Sequence, residues 1–403
     1  MISSHVSVAG SNVGYSKVWE QERSAMFYFG FALLYIKTLV SETTLITLTD
    51  SVDAALLLAS SFFFVLHCFQ RWKEFDRAAW LIVAVFLFLV VNYRLTSYTT
   101  QMTAFLLIVA ASFGVDLKRF VSIWFKVTGF LFLALISFYL ILYFAGSDLA
   151  TSVVRSGNGS SNVRLSFFFN HPNGAATVAM MLAGAMLYLN AGKKIKFSHY
   201  ATVFIAAFFV LYATDSRTSA LLTLALIPLY LLYQKGLFNL KAVRLSVGIL
   251  PIGLFTATFL LAGPFYSLSV APLFTGRVWL WHTTLVNSGI TVFGQSFVPT
   301  SAISVYGNWE SVATTLDGFY ASGLLTMGLV VSGLFCWSVF RTAVYAADDE
   351  SSCLPLLVVL LLHGFTEVGV LTVAIAFPVI FLSISLRFKK IDTSNRVKED
   401  SLA

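Results

Sequence analysis

Five short clusters gather hydrogen-bonding and charged side chains within a chain of 403 residues that is 58% hydrophobic and only 11% charged. The first is Phe169-Asn-His-Pro-Asn173, where Asn170, His171 and Asn173 sit together and Pro172 fixes the start of a helix. His171 can act there as a general base, bind a sugar hydroxyl, or simply cap the helix. The second, Tyr212-Ala-Thr-Asp-Ser-Arg-Thr-Ser219, is a polar break between two apolar runs and carries Arg217. A charge at a membrane boundary demands a partner, and Asp215 is near enough in sequence to be one. The third, Thr275-Gly-Arg-Val-Trp-Leu-Trp-His282, places Arg277 and Trp281 one helical turn apart on a single face. An arginine beside an indole suits a charged head group with a sugar stacked next to it, and His282 is adjacent. The fourth is Asp317-Gly-Phe-Tyr320. The fifth, His363-Gly-Phe-Thr-Glu367, offers an acid/base pair close to an apolar layer, where an uncompensated Glu is a functional candidate.

The elements that must position these clusters are apolar runs, each able to cross a bilayer core ~30 Å thick as a helix. The runs do not alternate as barrel strands do, and open sheets are excluded in lipid. The expected class is therefore all-α: a single polytopic membrane domain over residues 1–403 with about twelve spans. These are expected at 24–40, 53–70, 78–93, 98–115, 121–146, 174–191, 200–214, 218–233, 246–263, 319–340, 353–364 and 369–387. The first run lacks a cleavage pattern behind it and reads as a retained span. Residues 353–387 also allow a single broken helix, with Pro355 and Pro378 tolerated either way.

Basic residues then alternate from loop to loop. Lys17 and Arg23, Arg71 to Arg77, Lys118 and Arg119, Lys193 to Lys196, Lys235 to Arg244, Arg341, and the tail from Arg387 to Lys398 all fall on one side. That side is cytoplasmic by the positive-inside rule, which puts the 1–23 segment, the 388–403 tail and hence both termini inside. The outer side holds Lys37 as its lone lysine but five arginines: Arg94, Arg155, Arg164, Arg217 and Arg277. Its two long loops are 147–173, rich in Gly, Ser and Asn, and 264–318 between the ninth and tenth spans, which carries Trp279, Trp281, Tyr306, Trp309 and Glu310. Loops of that length are usually functional or disordered, and the second is too aromatic for plain disorder. A short helix is expected near Gly276–Asn287, capped by Thr275 and stopped by Gly289.

Arginine grips two phosphate oxygens at once where lysine is a point charge, so an outer face of arginines suits phosphate or diphosphate recognition. Capping of helix ends or pairing with local acids is the alternative for each. The net charge of +7 belongs to orienting loops and not to nucleic acid. No phosphate loop or dinucleotide fingerprint occurs, and Cys68, Cys336 and Cys353 have no metal-binding spacing.

His-Pro-Asn at 171–173, Ser-Arg-Thr at 216–218, Gly-Arg-x-x-Leu-Trp at 276–281 and the Asp–aromatic segment at 317–320, in that order, resemble the bacterial O-antigen polymerase and ligase superfamily. The Wzy-type polymerases of exopolysaccharide, capsule and O-antigen are the nearest in pattern, over roughly residues 160–370. Gly318 stands where family members often carry Asn. The resemblance implies a GT-C-like membrane glycosyltransferase of the bacterial plasma (inner) membrane. It would move a growing glycan from undecaprenyl diphosphate onto a lipid-linked repeat unit at the outer face, with no metal or other cofactor. Partners would be the undecaprenyl-diphosphate-linked oligosaccharide, membrane lipid, and a flippase and chain-length regulator. Under that resemblance Arg217 and Arg277, with Arg164, Asn173, Trp281 and Asp317, would bind diphosphate and glycan. His171, His363 or Glu367 would activate the acceptor. A ligase passing the same donor to another acceptor is the nearest rival, and a lipid-linked oligosaccharide flippase a more distant one. The flippase would require charges along a transit path, yet the expected spans 78–93, 98–115, 200–214 and 246–263 contain none.

Overall fold

The structure is a computed structural model that describes residues 12–72, 99–150, 152–157, 160–267, 276–295, 301–303, 310–312, 316–348, 350–372 and 374–386. The expected span 78–93, Arg94, Thr275, Tyr306, Trp309 and the 388–403 tail lie outside the described residues.

The chain is mostly helical. In order run α1 (Asn12–Ser41), α2 (Asp50–Gln70), α3 (Thr99–Ala111), α4 (Leu117–Phe144), a hairpin of β1 (Ser152–Gly157) and β2 (Ser160–Leu165), α5 (Pro172–Asn190), α6 (Phe197–Thr214), α7 (Arg217–Gln234) and α8 (Lys241–Ala262). There follow α9 (Arg277–Ser288), the short hairpin of β3 (Ser301–Ile303) and β4 (Glu310–Val312), α10 (Phe319–Thr326), α11 (Gly328–Tyr345) and α12 (Leu354–His363). Both hairpins are antiparallel and fall in the two long connections.

Among the described residues, seven helices are long and apolar enough to cross a membrane: Ser24–Ser41, Asp50–Gln70, Leu117–Phe144, Pro172–Asn190, Phe197–Thr214, Lys241–Ala262 and Gly328–Tyr345. Their outward faces suit lipid and not water, since Phe62, Phe130, Leu133 and Ile205 are exposed by 59%, 72%, 65% and 67%. In water so much apolar area would drive association.

Pro172–Asn190 is the central helix, with 72% of its apolar window buried against 17% for Asp50–Gln70 and Leu117–Phe144. Its buried residues include six small ones, Ala175, Ala176, Ala179, Ala183, Gly184 and Ala185. Small residues let helix backbones approach closely where lipid offers no hydrophobic drive. A Cβ on Gly184 would come within 2.9 Å of Leu356 on α12.

Two expected spans take a different form. The 319–340 run is broken into α10 and α11 at Met327, where Gly328 has φ +70°. The segment after α9 runs alongside the break, with Gln295 N donating to Leu325 O, Leu329 N to Thr291 O and Val330 N to Val292 O. Backbone groups freed by the break are thus satisfied by the loop.

The 369–387 run forms two 3₁₀ pieces, Val368–Leu371 and Phe377–Leu386, in place of an α-helix. All ten residues of the second are buried. A 3₁₀ helix rises ~2.0 Å per residue against ~1.5 Å for an α-helix, so a short segment reaches further through the core. The segment is pinned by Trp124, whose Nε1 donates to Ala374 O at 2.7 Å.

Candidate functional site

Four of the five sequence clusters stand at helix starts: His-Pro-Asn opens α5, Ser-Arg-Thr opens α7, Gly-Arg opens α9 and Asp-Gly-Phe opens α10. The fifth begins on His363, the last residue of α12, and reaches the others through His363 and Glu367. A helix start presents unpaired N–H groups and the positive end of the helix dipole, so the starts of α5, α9 and α10, linked through Glu367 and Arg277, favour an anion near them.

At the centre is a chain of hydrogen bonds across sequence-distant residues. Arg164 Nη2 donates to Asn173 Oδ1 at 2.7 Å, and Asn173 Nδ2 donates to Glu367 Oε1 at 2.9 Å. Arg277 Nη2 donates to the same Glu367 oxygen at 2.8 Å and Arg277 Nε to Asp317 Oδ2 at 3.3 Å. Arg164 is buried and its Nε donates to Thr214 O at 2.7 Å, the end of α6, where a helix terminus favours a cation. Two guanidiniums therefore face two carboxylates. Burial holds the Glu367 carboxyl above its usual range, and the Arg277 charge opposes this.

Local backbone explains why His171 and Asn173 point as they do. Phe167 and Phe168 have φ of 50° and 66°, which costs a non-glycine residue about 1–3 kcal/mol. The conformation is held by the buried rings, Phe167 and Phe168 each lying 5.2 Å from Tyr139, and by Thr44 N donating to Phe168 O at 2.7 Å. Asn170, expected among the site groups, instead donates from Nδ2 to Ser41 O at 2.6 Å and staples the turn to the end of α1.

His171 Nδ1 accepts the Asn173 backbone N–H at 3.1 Å and caps α5. That bond leaves the neutral ring its proton on Nε2, so His171 faces outward as a donor, not a base. One edge of the residue is exposed, but desolvation by its packed surroundings, followed by the Arg164 charge, lowers its pKa and keeps the ring neutral.

His363 is fully buried. Its Nε2 lies 3.3 Å from Thr177 Oγ1 and 3.5 Å from Ser219 Oγ, so it bolts α5 to the first turn of α7. Thr177 gives its hydroxyl proton to Asn173 O at 2.8 Å, which makes its oxygen the acceptor toward His363. His363 is thus sealed from any acceptor sugar. Thr177 escaped the sequence reading, its sole signal a hydroxyl within an apolar run near a motif, and Ser219 stood at the end of the second cluster with no role given to it.

Trp281 was expected to stack a sugar, but its indole is fully buried. Its Nε1 donates to Asp317 O and its ring meets Phe365 edge-on at 5.4 Å. It holds Asp317 at the start of α10 and has no free face for a ligand. Gly318 has φ +91°, and a Cβ there would stand 3.0 Å from Phe365 O and 3.1 Å from Trp281 Cζ2. Only glycine fits between them.

Arg217 stands apart from this hydrogen-bonded chain. Its side chain is 72% exposed and its Nε lies 3.6 Å from Asp215 Oδ1, a loose surface pair. Asp215 closes α6 with φ +47°, making the turn tight enough for Arg217 to open α7 at once. Helix α9 spans Arg277–Ser288 and stops at Gly289, but its N-cap is Gly276 with φ +83° and not Thr275. His282 stacks on Tyr266 at 3.8 Å and donates from Nδ1 to Ala262 O at 2.7 Å, which fastens α9 to α8.

The arrangement can accept an anion on Arg217 directly and on Arg277 by exchange for a carboxylate. It can take up a proton on Glu367 and donate a hydrogen bond from His171. No protein-family model, curated protein or solved structure matches this chain.

Proposed function

We propose that this chain is a polysaccharide polymerase of the O-antigen polymerase and ligase type, GT-C-like and with about twelve spans. In this reading it resides in the bacterial plasma membrane with both termini in the cytoplasm. It transfers a growing glycan from undecaprenyl diphosphate to a lipid-linked repeat unit at the outer face. The observation that carries the reading is the meeting of Arg277, Asn173, Glu367 and Asp317, drawn from three of the four ordered motifs and from the segment after α12.

Arg217 and Arg277 take the diphosphate oxygens, and the helix starts of α7 and α9 add their dipoles. Glu367 accepts the proton of the acceptor hydroxyl. The hydroxyl oxygen then forms the new bond to the anomeric carbon. The bond from that carbon to the diphosphate breaks, and its electron pair leaves with the diphosphate, whose charge the arginines stabilise. His171 Nε2–H donates to donor or acceptor, while Trp281 and His363 hold the helices in register.

The test is purified protein in nanodiscs given synthetic undecaprenyl-diphosphate-linked repeat units, with products resolved by length. A ladder is expected from the wild type and single repeats alone from Arg217→Ala and Arg277→Ala. No ladder from wild type, or full ladders from both variants, ends the proposal.

A further inference from the structure

Arg277 is committed on both sides. Its Nη2 holds Glu367 and its Nε holds Asp317, with its side chain 15% exposed. Glu367 Oε1 takes both of that carboxylate's hydrogen bonds, from Arg277 and Asn173, and Oε2 receives none from a described residue. The charged groups around Glu367 are Arg277 on α9, Asp317 ahead of α10 and Arg164 on β2, with His171 neutral at the start of α5. Two positive charges thus balance two negative ones.

A diphosphate diester brings two further negative charges into this balanced, largely buried cluster. A buried excess of negative charge is expensive, and the group able to remove it is a carboxylate that takes a proton. Glu367 is the more enclosed of the two, its side chain 14% exposed against 38% for Asp317.

On these grounds the geometry points to an anion exchange at Arg277. Diphosphate displaces Glu367 from the guanidinium, and the released carboxylate takes a proton from solvent on Oε2; that proton returns to solvent when the acceptor hydroxyl docks there, which frees Glu367 to act as the base. Acceptor activation then waits for donor binding, which protects the lipid-linked glycan from water while no acceptor is seated. The inference rests on the diphosphate reading above and adds the coupling between the two substrates. With Arg277 turned away, burial is unopposed and drives proton uptake by the carboxylate.

The experiment is titration calorimetry near neutral pH on the full chain in nanodiscs, run in buffers of different ionisation enthalpy. The probes are farnesyl diphosphate and, separately, inorganic pyrophosphate. Wild type should take up about one proton per bound diphosphate, and Glu367→Gln should bind at least as tightly with uptake abolished. Asp317→Asn should keep the uptake. Uptake with both probes assigns the effect to the diphosphate group itself; uptake with farnesyl diphosphate alone assigns it to a prenyl-linked one. Binding by wild type with no uptake, or uptake that persists in Glu367→Gln, overturns the exchange while leaving diphosphate binding intact. Binding of neither probe overturns the diphosphate reading and the exchange with it.

Discussion

At the scale of single residues, the three candidates for acceptor activation differ in what their free atoms can still do. His171 has spent Nδ1 on the Asn173 N–H, and His363 is sealed between Thr177 and Ser219. Glu367 retains an oxygen and is held above the ordinary carboxylate pKa by burial. Glu367→Gln is therefore expected to lower glycan transfer about 100-fold or more, the usual worth of a positioned base. The sign of the pH dependence follows: a base works deprotonated, so activity falls as pH drops through its pKa, and the acid limb should lie above the unperturbed value of 4.5. An acid limb at or below that value in initial-rate profiles refutes the assignment. His171→Ala should leave that limb in place but cost about 1 kcal/mol of stability through the lost cap, whereas His171→Asn keeps a capping oxygen and should restore it in thermal unfolding. The identity of these residues was legible in the sequence because charge in an apolar chain is conspicuous. Their division of labour was not, because it depends on hydrogen bonds spanning 194 and 90 positions of chain.

At the scale of elements, the site is built from helix starts, and what fixes those starts is backbone more than charge. Gly318→Ala puts a methyl between Phe365 O and the Trp281 ring at a φ of +91°. A cost of about 1–3 kcal/mol is expected, read as a lowered midpoint in detergent, with activity falling further because Asp317 moves with the turn. An unchanged midpoint would show that the turn relaxes freely. Helix α9 was legible almost to the residue, since Gly276 and Gly289 bracket a run of non-breakers. The break at Met327 and the 3₁₀ form of Phe377–Leu386 were not. Both arise from packing partners, the Thr291–Gln295 strand-like segment and the enclosing helices, which leave no periodic mark in the segment itself. Trp281 makes the same point, because its place at one helical turn from Arg277 is visible in sequence while its complete burial is decided by Phe365 and Asp317, which lie far along the chain.

At the scale of the whole molecule, the anion site is useful to a lipid-linked donor only if it opens on the same side of the membrane as the hairpin of β1 and β2. In the proposed topology the turn before that hairpin lies outside and the turn between α5 and α6, with Lys193, Lys194 and Lys196, lies inside. Asp148 and Lys194 are both exposed and lie at opposite ends of a path that crosses through α5, so they form a matched pair of probes. With Cys68, Cys336 and Cys353 replaced by alanine or serine, a single cysteine at 148 should react in intact cells with a membrane-impermeant maleimide. One at 194 should react after the membrane is opened and not before. Helix α5 is 19 residues long, about 28 Å at 1.5 Å per residue, which matches the ~30 Å hydrocarbon core and makes opposite-side labelling a strict requirement. Labelling of both positions from outside would remove α5 as a span, and with it the register of every loop that follows. Reversed labelling would keep the fold but put Arg217, Arg277 and Glu367 on the cytoplasmic face, where nucleotide-activated sugars and not translocated lipid-linked glycans would be the available donors.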